Sequence, residues 1–286
     1  MRTADELLRL IMSKAEDDDR IRAVTLNGSR ASKSALIDKY SDFDITYFVS
    51  DVREFTKEKD WISYFGDILI VQYSMDWYSS PYDYSSRDTF VYLIQFEDGN
   101  RIDLSIVDIS NIKKEEENKE PKVVLLNKDN FKELESSNDE TEYFIKEPTD
   151  MEYYNTCNEF RWLSIYITKG LCRSEIYYAK YAYDVLIMEM FMKMLNWKIG
   201  IENQFKVTTG THKKYLKRFL SKDELNRVHS IFPDGSYEDI WEKLFMMYDY
   251  FHELECIVGY TYGFKNDTDE SYRVKKYIQN QKKETK

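Results

Sequence analysis

Residues 42–49 have the sequence DFDITYFV, in which apolar and polar side chains alternate over the first residues. Successive side chains of a β-strand point to opposite faces, so we predict a strand with Phe43 and Ile45 on the core side. Asp42 and Asp44 would then project together from the other face. Two carboxylates at this spacing suit oxygen ligands that share a Mg²⁺ ion.

A second predicted strand covers residues 21–26, and the pair Gly28-Ser29 ends it. A glycine allows a phosphate to approach the backbone closely, and the serine adds a hydroxyl donor. Backbone amides at such a turn bind phosphate when a helix begins there. We therefore expect this turn to contact the outer phosphates of a nucleoside triphosphate.

A predicted β-hairpin lies further along the chain. Residues 90–96 and 102–107 are strand-like, and the Asp-Gly-Asn sequence at 98–100 is a compact turn signal. Asp103 falls in the second strand, on its polar face. A charged side chain in the middle of an apolar strand is costly unless it is paired or bound to a metal ion.

The three acids together indicate nucleotidyl transfer. If the hairpin strand lies in the same sheet as residues 42–49, Asp103 comes close to Asp42 and Asp44. Carboxylates that crowd together repel one another, and Mg²⁺ relieves the repulsion while it neutralises the phosphates of the substrate. An ion pair between Asp103 and Arg101 is the alternative explanation of that acid.

The second half of the chain has a different composition pattern. Thr149 and Glu152 form a predicted capping box, and almost every later segment has helical periodicity. Residues 177–198 are apolar on most sides, which predicts a central buried helix. We therefore expect an α+β domain at residues 1–147 and an all-α domain at residues 148–286.

Charge and cysteine content restrict the class of function. A net charge of −11 argues against a general nucleic-acid binder and is compatible with a cationic small substrate. Three widely spaced cysteines suggest a reducing compartment, and we find neither a signal peptide nor a membrane-helix stretch. We expect a cytoplasmic monomer that binds no nucleic acid and no membrane. The basic segment 273–286 is expected to be a solvated, frayed tail.

Three segments resemble the aminoglycoside 6-adenylyltransferases, the streptomycin-inactivating members of the polymerase-β-like nucleotidyltransferases. They are VTLNGSR at residues 24–30, DFDITYFV at 42–49 and RIDL at 101–104. The helical half resembles the same family in four further segments: CNEF at 157–160, KGLCR at 169–173, WKIGIE at 197–202 and YEDIW at 237–241. The resemblance therefore extends over nearly the whole chain.

The resemblance implies a fold and a reaction. It implies a nucleotidyltransferase domain with a mixed β-sheet flanked by helices, followed by a helical domain, with ATP and the substrate in the cleft between them. ATP would be the co-substrate, Mg²⁺ the cofactor and an aminoglycoside, streptomycin first, the acceptor. Asp42 and Asp44 would be metal ligands, and Asp103 would be the third metal-site acid or the general base. The implied nucleotide contacts are Gly28, Ser29, Arg30, Lys169, Lys213 and Lys214.

One helix face in the second half carries an unusual mixture of side chains. Its residues follow one another at steps of 4, 3, 4 and 3, and they are Asn155, Glu159, Trp162, Tyr166 and Lys169. By periodicity alone this could be a half-buried helix with wet ends. With the resemblance, we expect Lys169 to contact the triphosphate, and Glu159 and Trp162 to contact the substrate.

Two positions depart from the family pattern. Asn27 stands where the family usually has glutamate, and residues 210–215, GTHKKY, replace a GKNYKF run. Lys214 keeps its family position, and Lys213 would substitute for the lysine that is lost. Two alternatives stay open at this point: a nucleotidyltransferase with another acceptor, and a non-catalytic protein that binds an aminoglycoside or a nucleotide.

Overall fold

A six-stranded sheet organises the first half of the chain. The computed structural model describes residues 2–73, 88–118, 120–265 and 267–285. The strands are β1 (Ile21–Asn27), β2 (Phe43–Val49), β3 (Ile68–Tyr73), β4 (Thr89–Phe96), β5 (Arg101–Asp108) and β6 (Lys122–Asn127). Their order is β3-β4-β5-β2-β1-β6, with β2 and β5 parallel and the other neighbours antiparallel. The sheet is therefore mixed, as the resemblance implied.

Eight α-helices accompany the sheet within the described residues. Two precede Asp150: α1 (Ala4–Asp17) and the short α2 (Arg53–Thr56). The others are α3 (Asp150–Cys172), α4 (Ile176–Tyr181), α5 (Met188–Glu202), α6 (Lys222–Ser230), α7 (Tyr237–Tyr262) and α8 (Thr268–Glu284). The chain divides between Glu142 and Tyr143 into two compact units, the first with the sheet and the second helical. The predicted α+β class with an all-helical second part is confirmed.

The core of the first unit follows from the alternation in its strands. Phe43 and Ile45 of β2 are buried together with Leu104 of β5, and the side chains between them on the same strands face the other way. Helix α1 covers this core with Leu7 and Ile11, which lie one helical turn apart. The polar face of β2 and β5 is thereby left for other contacts.

Two strands of the sheet were not predicted from the sequence. β3 and β6 lie at its two edges, where each pairs with a single neighbour. Leu69 and Ile70 of β3 are adjacent in the chain and both exposed, so the strand has no alternating pattern. A sequence pattern reports a strand through burial on one face, and that signal is weak at an edge.

The helical unit has its own apolar core. Phe160 of α3 stacks on Phe251 of α7, with ring centroids 3.7 Å apart and an interplanar angle of 5°. The predicted capping box is present: the Thr149 hydroxyl accepts a hydrogen bond from the Glu152 amide, and the Glu152 carboxylate accepts one from the Thr149 amide. None of the helices described is both long and apolar enough to cross a membrane.

The prediction of a central buried helix at residues 177–198 is only partly correct. The segment consists of α4 and α5 joined by a π-helical turn, Ala182–Ile187. Its first part is open to solvent, since Tyr177 is 90% exposed and Tyr181 58% exposed. Tyrosine counts as apolar in a sequence pattern, although its hydroxyl allows the ring to face water. The π-turn changes which side chains face the core.

The prediction of a frayed tail at the C-terminus is wrong for the described residues up to 285. Helix α8 occupies this segment, and Ile278 is completely buried in the core of the helical unit. Lys282 lies 3.2 Å from a carboxylate oxygen of Glu238, and Lys275 forms an ion pair with Asp249. The basic residues therefore face acids of α7, a partner that the local charge pattern does not reveal.

Candidate active site

The parallel pairing of β2 with β5 places two of the three acids side by side. Asp44 of β2 is the register partner of Asp103 of β5, and both follow the apolar residue of a buried pair, Phe43 and Ile102. Asp42 immediately precedes the first residue of β2. The sheet thus assembles the acids from segments that are about sixty residues apart in sequence.

Arg101 joins two of these acids. Its Nε and Nη2 atoms donate hydrogen bonds to the two carboxylate oxygens of Asp103, at 2.7 and 2.8 Å. The same Nε lies 3.6 Å from an Asp42 carboxylate oxygen. The hydrogen bonds to Asp103 raise the pKa of Arg101 above its usual value, and the charges of Asp42 and Asp44 add to the shift. The ion pair that the sequence left as an alternative for Asp103 is therefore formed.

The donor set suits a hard divalent cation, because Asp42, Asp44 and Asp103 offer only carboxylate oxygens. In the part of the chain that the structure describes, no three acidic, histidine or cysteine side chains are arranged around one possible metal position. The bidentate pair with Arg101 explains this arrangement, since it turns the Asp103 carboxylate towards the guanidinium. A Mg²⁺ ion fits the chemistry of Asp42 and Asp44, and Asp103 would join them only by leaving Arg101.

Gly28 allows the Asp44 carboxylate to lie against the backbone after β1. The φ of Gly28 is +62°, in the left-handed region that favours glycine. A Cβ atom at this position would lie 2.1 Å from the Asp44 carboxylate oxygen. A side chain here would therefore displace the acid. Gly28 belongs to the turn for which the sequence predicts phosphate binding, and the Asp44 carboxylate packs against the same turn.

The turn itself is short. Gly28, Ser29 and Arg30 form a single 3₁₀ turn, consistent with the short helix or loop that the sequence predicts after β1. The Arg30 guanidinium donates to the main-chain oxygens of Ser41 and Asp42, at 2.8 and 3.0 Å. It also lies 3.8 Å from the centroid of the Phe43 ring. Arg30 is thus attached to the segment that leads into β2.

Asn27, one of the two departures from the family pattern, lies beside the acids. It is the register partner of Asp44 across the β1–β2 pair, and its side-chain amide donates to the Thr46 hydroxyl at 3.0 Å. An amide at this position adds no negative charge next to Asp44. The contact holds the end of β1 to β2 through a side chain as well as the backbone.

The mixed stripe predicted on one helix face exists on α3. Asn155, Glu159, Trp162 and Lys169 are all exposed, and Trp162 has 54% of its surface open to solvent. The Trp162 ring lies 6.1 Å from the ring of Tyr166. The prediction that these side chains share a face is confirmed by their common exposure. The side chains of Glu159 and Lys169 are exposed, so both charges face solvent.

Lys213 and Lys214 occupy a strained loop after α5. His212 and Lys213 have φ values of +50° and +63°, which are uncommon for residues with a side chain. Burial lowers the pKa of Lys213, and the charge of Glu189 opposes the shift. Lys214 is exposed, with its ammonium 5.2 Å from the Tyr215 ring centroid. Backbone strain of this kind is often found where a structure supports a functional group.

Sequence patterns did not reveal the contacts of Arg30 with Ser41 and Asp42, or the contact of Asn27 with Thr46. The arginine and its acceptors are separated by eleven and twelve residues, and no periodicity links them. Asn27 and Thr46 meet only because β1 and β2 pair in this register. Predicting these contacts would have required knowing which strands pair and in which register.

Comparisons with known proteins agree on one family. A family model described as streptomycin adenylyltransferase matches residues 1–281. The chain is 33% identical over 266 residues to an aminoglycoside 6-adenylyltransferase of Bacillus subtilis (strain 168), and the match covers 93% of each protein. It is 30% identical over 287 residues to one from Campylobacter jejuni, with 99% of this chain and 97% of that protein covered.

A third relative and a solved structure extend the comparison. An aminoglycoside 6-adenylyltransferase of Staphylococcus aureus is 29% identical over 269 residues, with coverage of 92% of this chain and 94% of that protein. A crystal structure of an aminoglycoside 6-adenyltransferase from Bacillus subtilis is 31% identical in sequence. It aligns over 98% of this chain and 99% of that one, with a TM-score of 0.49.

Proposed function

The chain belongs to the streptomycin adenylyltransferase family and is an adenylyltransferase, and we propose that it transfers AMP from ATP to a hydroxyl of an aminoglycoside. Streptomycin is the leading acceptor, pyrophosphate is the second product, and antibiotic resistance is the consequence. The pairing of Asp44 with Asp103 across β2 and β5, with Asp42 beside them, is the observation that carries the proposal.

The reaction requires an attack by the acceptor oxygen on the α-phosphorus. A bond forms between that oxygen and the α-phosphorus, the bond to the β-phosphate oxygen breaks, and the hydroxyl proton passes to a base. Asp42 and Asp44 would hold Mg²⁺, which neutralises phosphate charge and activates the attacking oxygen when it is bound. Asp103 would take the proton as general base or serve as the third metal-site acid.

Arg101 orients the Asp103 carboxylate in the absence of substrate. Both guanidinium–carboxylate hydrogen bonds are short, and a planar bidentate pair fixes the carboxylate in one plane. In either role of Asp103, this pair must loosen, because a base must reach the acceptor hydroxyl and a ligand must reach the metal ion. The exposed position of Arg101 leaves room for that movement.

Other residues would bind the two substrates. We propose Gly28 and Ser29 as contacts of the outer phosphates through the turn after β1, with Lys169, Lys213 and Lys214 of the helical unit as further phosphate contacts. Lys213 is supported by its half-buried position in a strained loop. Glu159 and Trp162 are proposed as acceptor contacts, because a carboxylate and an exposed indole suit an amino sugar.

The remaining expectations belong to the same proposal. Residues 1–147 would be the catalytic domain and residues 148–286 the domain that binds substrate and nucleotide. The protein would work as a cytoplasmic monomer without nucleic-acid or membrane partners. A net charge of −11 supports a cationic substrate, since an acidic protein attracts cations at long range.

Pyrophosphate release is the direct test. The purified protein would be incubated with Mg·ATP and each member of an aminoglycoside panel, with streptomycin included. We expect release that depends on both Mg²⁺ and one class of aminoglycoside, and a product heavier by one AMP in mass spectrometry. No release with any aminoglycoside contradicts the proposed acceptor class, and release without added divalent cation contradicts the metal site.

A further inference from the structure

Asp42 and Asp44 are positioned in different ways. Asp44 lies inside β2, where pairing with β1 and β5 sets its backbone. Asp42 precedes Phe43, the first residue of β2 and of its register with β5, whereas the register with β1 begins only at Asp44. The backbone position of Asp42 therefore depends on the contacts that hold the chain just before the strand, while Arg101 also approaches its carboxylate.

Arg30 holds that segment at three consecutive residues. Its Nη2 donates to the Ser41 carbonyl at 2.8 Å, and its Nε donates to the Asp42 carbonyl at 3.0 Å. The central carbon of the guanidinium lies over the Phe43 ring, 3.8 Å from its centroid. A planar group that donates from its edge and stacks with its face can restrain both the position and the tilt of a short backbone segment.

The charge of Arg30 is directed at the backbone rather than at a carboxylate. Among the residues that the structure describes, no ion pair joins Arg30 to an acid, whereas Arg101 pairs closely with Asp103. Burial lowers the pKa of Arg30, and the charges of Asp42, Asp38 and Asp44 oppose the shift. The guanidinium thus sits half-buried behind the acidic segment, with two of its donors used by main-chain oxygens.

We propose that Arg30 is a positioning residue that acts through Asp42: it fixes the backbone at Ser41 and Asp42 and thereby aims the Asp42 carboxylate at the divalent cation. This inference rests on the proposed metal site and changes the part that the family resemblance implied for Arg30, which was direct contact with the nucleotide. Replacing a residue that orients a metal ligand without touching the metal typically lowers the metal affinity by about 10- to 100-fold.

The main test is Mn²⁺ binding in the absence of nucleotide. Binding is measured from the electron paramagnetic resonance signal of the free ion. Arg30→Lys keeps the charge but has no planar edge with which to reach both carbonyls. We expect its Mn²⁺ affinity and its kcat to fall about tenfold, and the KM for ATP to stay within about twofold of the wild type. Arg22→Lys is the matched control, because Arg22 of β1 pairs at the surface with Asp129.

A second variant separates positioning from a loss of folding. In Arg30→Ala, guanidinium chloride at concentrations well below those that denature should restore part of the Mn²⁺ affinity, and the same salt should not help Arg22→Ala. Thermal unfolding of each variant is recorded alongside. If guanidinium chloride restores the Mn²⁺ affinity of Arg30→Ala without a change in its melting temperature, the group that this variant lacks is the guanidinium of Arg30.

The possible results distinguish a failure of the role of Arg30 from a failure of the metal site. Wild-type Mn²⁺ affinity in Arg30→Lys overturns the proposal, and a KM for ATP raised about tenfold with that affinity unchanged identifies a nucleotide ligand instead. If the wild-type protein bound no Mn²⁺, or if Asp42→Asn and Asp44→Asn bound it normally, the proposed metal site itself would fail and this role with it. Normal binding by both the wild type and Arg30→Lys contradicts the role of Arg30 alone.

Discussion

The Asp103 carboxylate is needed in two places, by the ion pair with Arg101 and by the proposed reaction. Arg101 holds both of its oxygens, while the proposed reaction needs at least one of them for a proton or a metal ion. The parallel pairing of β5 with β2 keeps the acid beside Asp44 whichever demand is met. At the scale of single residues, the structure therefore places Asp103 beside Asp44 while the Arg101 guanidinium binds both oxygens of Asp103.

Asp103→Asn tests the role of Asp103 in the proposed reaction. An amide keeps the shape of the side chain but cannot accept a proton, so we expect turnover to fall by about 10² to 10⁴. Binding of Mg·ATP, measured by calorimetry, should stay close to that of the wild type if Asp103 is the base. A variant with near-normal turnover rules out the base role, and Asp129→Asn, at a surface ion pair with Arg22, is the control.

Gly28→Ala tests the close packing of Asp44. Its Cβ would lie 2.1 Å from the Asp44 carboxylate oxygen, and the residue would keep a φ of +62°. We expect a loss of about 1–2 kcal/mol in the free energy of unfolding and a more than tenfold loss of activity, because Asp44 must move.

Gly235→Ala is the control for that substitution, since its Cβ would meet no atom within 4 Å and its φ lies outside the left-handed region. Urea unfolding and an activity assay should leave this control unchanged. Full activity in Gly28→Ala would mean that Asp44 does not need its present position.

At the scale of elements, a buried ion pair joins the helices of the second unit. Arg161 of α3 is 7% exposed and Glu255 of α7 is 2% exposed, and their side chains form an ion pair. A second nitrogen of Arg161 lies 3.4 Å from Glu270 of α8. The pair therefore connects three helices, and α8 is held to the others by charge as well as by Ile278.

Arg161→Met should destabilise the protein by about 3–5 kcal/mol, because it leaves the Glu255 carboxylate buried without the guanidinium that pairs with it. Adding Glu255→Leu to the same protein should recover most of the loss, since it removes the unpaired charge. Both values come from urea unfolding. Arg227→Met, at an exposed pair with Glu253, should cost about 1 kcal/mol or less. Equal losses in the two arginine variants would argue against the importance of burial.

The start of α6 provides a pH-dependent contact. A hydrogen bond from Lys198 of α5 lowers the pKa of Glu224 from 4.5 to about 2. A carboxylate with a lowered pKa contributes stability above its unfolded-state pKa. That contribution is lost as the pH falls from about 4.5 towards the folded-state value of about 2.

Glu224→Gln should therefore lower the free energy of unfolding at pH 7 by about 1–2 kcal/mol, and the difference from the wild type should shrink at pH 3. Glutamine keeps the acceptor that caps Ser221. Glu242→Gln, at an exposed side chain, serves as control. A difference that stays constant with pH would show that charge is not the cause.

At the scale of the whole molecule, the described chain consists of two compact units, each with its own apolar core. The units divide between Glu142 and Tyr143, five residues before the boundary that the sequence suggests. Residues 143–147 belong to the helical unit because they make hydrogen bonds with it. The Ile145 amide donates to the Val207 carbonyl at 2.9 Å, and the Tyr262 hydroxyl donates to Glu147 at 3.1 Å.

Two fragments compare these boundaries. Fragment 143–286 should be helical by circular dichroism and unfold cooperatively, because a unit with its own core can fold alone. Fragment 148–286 lacks the contacts of Ile145 and Glu147 and should melt at a lower temperature. Equal melting temperatures would place the functional boundary at residue 147, and a broad transition in both would mean that the helical unit depends on the rest of the chain.

The sequence by itself determined the features that depend on near neighbours in the chain. Alternation set the polar face of β2 with Asp44, and the same period put Asp103 on the polar face of β5. Capping at Thr149 likewise set the start of α3. These signals are local because side-chain direction and helix ends are set within a few residues.

Only the tertiary structure decided which of these segments meet. The register that sets Asp44 opposite Asp103, the hold of Arg30 on Asp42 and the docking of α8 through Ile278 all join distant residues. The sequences of the edge strands β3 and β6 and of the basic helix α8 contain no periodic pattern that identifies the elements they pack against. Pairing and burial depend on the free energy of the whole packed chain, so no local pattern contains them.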